Sequence, residues 1–196
     1  MGPHYQDTWI WVCRSLMRLA RGDTDGAVAD QRESLRSARL AKDPQVLCPA
    51  LSGAAYVLAM AGRTGEAQPV LSEQFGLSLA EGGMLDESSV DCVLAAEMLG
   101  RQDEARRWIG ARRDSPWSAA VRKLAEGEFT AAAEALAAMG AARSAALARL
   151  QAARELARTG RRAEAGDQLR QALRFFRSVE ATRFIREAQA LLAASA

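Results

Sequence analysis

Five times along the chain a helix-like stretch stops at a glycine and restarts so that an alanine falls five residues later. The pairs are Gly22 with Ala27, Gly62 with Ala67, Gly100 with Ala105, Gly127 with Ala132 and Gly160 with Ala165. Successive glycines lie 40, 38, 27 and 33 residues apart, the range expected when each unit is two antiparallel helices packed on each other. The spacing therefore predicts a stack of helical hairpins, each burying its apolar faces against its neighbours.

Composition narrows the class further. With 196 residues and 49 % apolar side chains, one compact domain or one short solenoid spanning 1–196 is expected, with enough material for a core. Alanine, leucine and arginine dominate, asparagine is absent and lysine occurs only at Lys42 and Lys123. Helix formers fill most positions while β-branched and aromatic clusters are scarce, so the expected class is all-α. No stretch approaches roughly 18 consecutive apolar residues, and the first residues lack the basic flank and apolar core of a signal peptide. A soluble, cytoplasmic protein without a membrane role is expected. Cys13, Cys48 and Cys92 are odd in number, widely separated and set in apolar helical patterns, which predicts buried, reduced thiols. There is no Cys-x-x-Cys, and the only histidine is His4, so no metal site is expected.

The apolar periodicity divides the chain into hairpins at about 5–41, 44–80, 86–113, 116–139 and 143–177, followed by a helix at about 180–194. The first helix carries Trp9, Ile10, Val12, Cys13, Leu16, Met17 and Leu19 on more than one face. Either another element packs before it, or Trp9, Ile10 and Trp11 wrap onto the second helix. Lys42-Asp43-Pro44 stops one helix and starts the next. Thr64 is the expected N-cap after Gly62, and Glu81-Gly82-Gly83 separates the second hairpin from the third. The fourth hairpin has the shortest interval, so its helices should be about three turns each and its packing the weakest. The last helix presents Ala181, Phe184, Ile185, Ala188, Leu191 and Leu192 as one stripe, with Arg183, Arg186 and Glu187 facing away, which is the pattern of a capping helix.

The glycine-to-alanine offset resembles the elbow of tetratricopeptide repeats, in which a small residue on the second helix lets it approach the first closely. The last unit also has Ala172, twelve residues after Gly160, at that family's second small position; the earlier units have Ser34, Gln74, Arg112 and Met139 there. The resemblance implies an α-solenoid of antiparallel hairpins closed by a C-terminal capping helix. Within the last third, Gly160-Arg161-Arg162-Ala163-Glu164-Ala165, Phe175-Phe176-Arg177-Ser178-Val179 and Arg186-Glu187-Ala188-Gln189-Ala190-Leu191-Leu192 resemble the end of the repeat region in bacterial LuxR-type transcriptional regulators and cyclase-linked signalling ATPases. That likeness implies the repeat tail, or a stand-alone relative, of such a protein.

Transferring the repeat geometry by register places Trp9, Val12, Leu16, Ser52, Tyr56, Val90, Leu94, Trp117, Val121 and Arg154 on or near a concave groove. If open, such an apolar channel suits an amphipathic helix or apolar peptide; otherwise these residues pack between helices. The family's carboxylate clamp requires asparagine, which this chain lacks. Charge is uneven: residues 142–196 hold 11 basic and 5 acidic side chains, whereas 1–141 hold 15 and 19. Arg158, Arg161, Arg162, Arg170, Arg174 and Arg177 form a basic face that could hold an acidic partner or a phosphate, or stand simply in solvent. Net charge +2 and the lack of a groove-reading element argue against nucleic acid.

No phosphate-binding loop, nucleophile elbow or internal histidine base occurs. Glu87, Asp91 and Glu97 sit at helical spacing and are expected to face solvent, so neither catalysis nor a cofactor is expected. The sequence supports a non-catalytic module that binds a protein or peptide, with adjacent domains of a larger regulator among the candidate partners. A receptor for a small apolar ligand, lined by Trp9, Tyr56, Met60, Met98 and Trp117, is the alternative. A self-associating unit that dimerises through its first helix is the third.

Overall fold

The structure is a computed structural model that describes residues 5–77 and 85–195. Among these residues it is an all-α helical repeat of eleven helices with no strand. By contacts the chain falls into two compact units, one of residues 1–19 and 23–113, the other of 20–22 and 114–196.

Unit 1 holds α1 (Tyr5–Arg21) as far as Leu19, with α2 (Thr24–Ala41), α3 (Pro44–Met60), α4 (Thr64–Gly76), α5 (Ser88–Met98) and α6 (Gln102–Gly110). Helix α3 is its centre, packing against α2, α4 and α5, while α6 closes on α4 and α5. Unit 2 holds α7 (Pro116–Ala125), α8 (Phe129–Ala138), α9 (Ala142–Arg158), α10 (Arg162–Ser178) and α11 (Thr182–Ser195). There α9 packs against α8, α10 and α11, and α7 packs against α8. Residues 81–83, the expected break between the second and third hairpins, lie outside the described residues.

The five elbows share one construction. Each glycine has a positive φ, from +71° at Gly100 to +90° at Gly22, a conformation that would strain a residue bearing a Cβ. The residue after the glycine donates its N–H back to a carbonyl five positions earlier, as in Arg63 to Leu58, Arg101 to Ala96 and Arg161 to Leu156. This bond satisfies a helix-end carbonyl that would otherwise lack a partner. Five residues on, Ala27, Ala67, Ala105, Ala132 and Ala165 are all 0 % exposed. Each of these methyl groups is fully enclosed, and so small a side chain lets the returning helix come close to the outgoing one.

The turns between hairpins are less uniform. Gly140 repeats the elbow geometry at φ +77°, but Lys42 and Glu180 enter the left-handed region without glycine, at +54° and +55°. Hydrogen bonds from Lys42 N to Ala38 O and from Ala181 N to Phe176 O close those two turns.

Helix starts follow local chemistry. Asp23 caps α2 by accepting from Gly26 N, Asp43 caps α3 by accepting from Gln45 N, and Ser115 forms a reciprocal capping box with Ser118. At α4 the expected cap Thr64 is instead the first helical residue; Arg63 holds the cap position without a side-chain cap bond. The smallest helix is α6, with nine residues, against ten each for α7 and α8 in the fourth hairpin.

Polar side chains join α1 to α2 through the interior. Arg14 donates from Nε and Nη2 to the two oxygens of buried Asp30, each at 2.7 Å, and its guanidinium lies 4.2 Å from the Trp11 ring centroid. Gln31 donates to Ser15 Oγ at 2.5 Å, and Ser15 in turn donates to Val12 O. The Gln31 Oε1 is buried without a hydrogen-bond partner. Removing that acceptor while keeping the volume should offset the lost bond, because an unsatisfied buried acceptor costs about as much as the bond contributes. Gln31→Met is expected to fall within about 1 kcal/mol of the parent, on its stable side, in urea unfolding. A loss of several kcal/mol would contradict this.

Successive second helices are tied in register. Arg32 donates to Glu66 at 2.9 Å and Arg39 to Glu73 at 2.5 and 3.2 Å, both pairs 34 residues apart. Arg32 and Arg63 hold the Glu66 carboxyl below the usual carboxylate range.

Candidate functional site

The structure places most of the expected groove inside the packing. Val12, Ser52, Tyr56, Val90, Leu94 and Val121 are buried, and Trp9, Leu16, Trp117 and Arg154 are half-buried. The first six therefore offer no surface to a partner. Their register assignment omitted the neighbouring helices, which close over them. Arg154 donates to Gln151 and forms an ion pair with Glu187 of α11, so Glu187 points toward α9 and not away from it. Of the residues considered for a small apolar ligand, Tyr56 is buried, Trp9, Met60 and Trp117 are half-buried and Met98 is exposed, with Trp117 in unit 2 and the rest in unit 1.

All six residues of the basic face are exposed. Arg158 is tied to Glu155, Arg161 to Glu164 and Arg170 to Asp167 by ion pairs spanning three residues. Half of the face is thus locally neutralised by its own helices, while Arg162, Arg174 and Arg177 remain directed at solvent.

Two further expectations are corrected. Cys13 is exposed, Cys48 half-buried and Cys92 buried, because the broad apolar surface of α1 is covered on only part of its circumference. Asp91 is 2 % exposed and so does not face solvent, since α5 is buried along almost its whole first two turns.

Among the described residues the exposed large apolar side chains are Ile10, Met17, Leu40, Met98 and Val179, and two of them share one stripe of α1. Ile10 is 59 % and Met17 54 % exposed, and exposed Cys13 lies between them at helical spacing. With half-buried Trp9 and Trp11 beside it, this is an apolar helix face open to solvent.

A second feature was not singled out from the sequence. Between α4 and α6 runs a row of alternating cations and rings: the Arg101 guanidinium lies 5.4 Å from the Phe75 centroid, Phe75 lies 5.8 Å from Trp108, and the Arg112 guanidinium lies 4.9 Å from Trp108. At one end Arg101 is fully engaged, donating to both Glu104 oxygens at 2.7 and 2.5 Å, to Gln68 and to Ser72. At the other end, Trp108 Nε1 and Arg112 Nε are buried with no hydrogen-bond partner. So is Gln74 Oε1 on α4, whereas Ser52 on α3 lies against the buried Cys92 thiol. The ionisable groups acting on Arg112 are the thiols of Cys48 and Cys92, and burial lowers its pKa. Burial likewise pushes both thiols up, so neither is poised as a thiolate nucleophile.

The sequence does hold a trace of this cluster. Gln74 and Arg112 stand twelve residues after their elbow glycines, where the last unit has the small Ala172. A large polar residue at a packing position is a departure that local propensity does not explain.

Among the described residues no group of three or more metal-ligating side chains occurs, and no helix is long and apolar enough to cross a membrane. No protein-family model, no curated protein and no solved structure matches the chain.

Proposed function

We propose that the chain is a non-catalytic interaction module, a sensory or scaffolding segment of a bacterial, cytoplasmic signalling ATPase or transcriptional regulator, or a stand-alone relative. The observation that carries the interaction reading is the open apolar stripe of α1. Exposed methionine and isoleucine at i and i+7, flanked by tryptophans, supply a large apolar contact surface, and interface energy concentrates in such anchors. In a repeat array that side of a first helix is where a preceding hairpin would pack. A protein partner presenting an apolar helix face, or an adjacent domain of a larger regulator, fits the same surface. The wider regulator assignment rests on the sequence likeness of the last third.

The test replaces the stripe. Ile10→Asp with Met17→Asp changes two exposed positions and should leave far-UV circular dichroism unchanged. Affinity capture from native extract, followed by light scattering of the purified chain, is expected to lose its partner in the double variant. Equal capture by parent and variant would refute this surface, and a concentration-dependent dimer abolished by the variant would favour self-association.

A further inference from the structure

The row Arg101, Phe75, Trp108 and Arg112 gives an internal comparison. Both arginines lie against aromatic rings, yet Arg101 has a carboxylate and three further acceptors while the buried Nε of Arg112 has no partner. Trp108 is 7 % exposed, and its indole N–H has no acceptor either. Two N–H groups from neighbouring turns, Trp108 Nε1 and Arg112 Nε, are therefore enclosed without an acceptor. Leaving such donors unmet is unfavourable, the more so where charge is involved.

We propose that Trp108 and Arg112 form a recognition site for the carboxylate of a small apolar acid. A guanidinium presents parallel N–H groups that match the two oxygens of a carboxylate, and the rings of Phe75 and Trp108 supply an apolar wall for the rest of the molecule. A single-charged anion fits better than a phosphate dianion. The Arg112 guanidinium carries a single positive charge, and Asp86 and Asp91 act on the adjoining thiols of Cys48 and Cys92. The site is separate from the α1 stripe and does not depend on partner binding there.

The experiment follows the indole N–H of Trp108 in ¹H–¹⁵N spectra of the full chain, assigned by its loss in Trp108→Phe. Titration with octanoate is expected to move this resonance saturably, and octanamide to need at least a tenfold higher concentration. Arg112→Met should abolish the octanoate response and Arg112→Lys should retain part of it. Three results would overturn the proposal: no saturable movement, equal midpoints for acid and amide, or an unchanged response in Arg112→Met. An inorganic phosphate midpoint equal to that of octanoate would overturn the carboxylate assignment. If Arg112→Met does not fold, the acid-to-amide ratio on the parent decides.

Discussion

Phe176→Ala is expected to lose about 3–5 kcal/mol of folding free energy, the largest effect of any single truncation in unit 2. Phe176 is 1 % exposed and lies at the meeting point of α10 and α11. Its ring stacks on Phe184 at 5.1 Å and meets Phe175 edge-on at 6.1 Å. The Phe176 carbonyl also accepts from Ala181 N, which fixes the left-handed turn at Glu180. Truncation therefore leaves a void at a junction whose backbone is already constrained, and the surrounding helices can collapse only in part. Urea unfolding followed by circular dichroism reads the loss. A change under about 1 kcal/mol would mean that α11 is not held by this ring cluster.

Ala165→Leu acts by the opposite means. Ala165 is 0 % exposed at the elbow between α9 and α10, so added methylenes have no free volume to enter and the helices must separate. The expected loss is about 1–3 kcal/mol, although leucine and alanine differ little in helix propensity. Because the substitution preserves propensity and apolar character, a loss reports on packing distance alone. Hydrogen exchange should speed up along both α9 and α10, since the strain falls on the two helices together.

These two residues illustrate what was legible in the sequence. The elbow is a local device: a positive φ demands glycine, and the close approach five residues later demands a methyl group, so both ends of the constraint sit in one short window. All five elbows and the all-α class could be read that way. The left-handed conformations of Lys42 and Glu180 could not, because no glycine marks them, although Lys42-Asp43-Pro44 did mark a helix boundary. Exposure was the harder quantity. Val90 and Asp91 are adjacent on α5 and both buried, and Cys13 is exposed within an apolar helix. Which face is covered depends on helices distant in sequence, and periodicity on one helix carries no record of them.

The candidate site shows the same division. Ile10 and Met17 were visible as part of an apolar surface, but only the packing reveals that their side of α1 is the one left open. Tyr56 and Leu94 looked like groove residues by register and are core residues by contact. Trp108 carried no motif at all. Gln74 and Arg112 were visible only as large polar residues at the position that Ala172 fills in the last unit. A misfit of that kind is a signal when the structure leaves the same side chains with buried, unpartnered polar atoms.

The most direct test of the central claim, that a methyl-sized residue after each bend sets the spacing of the paired helices, compares Ala165→Leu with Ala163→Leu. Both lie in the first turn of α10, but Ala163 is exposed. Equilibrium unfolding is expected to separate them by about 1–3 kcal/mol, with Ala163→Leu within roughly 0.5 kcal/mol of the parent. Equal stabilities for the two variants would contradict the claim.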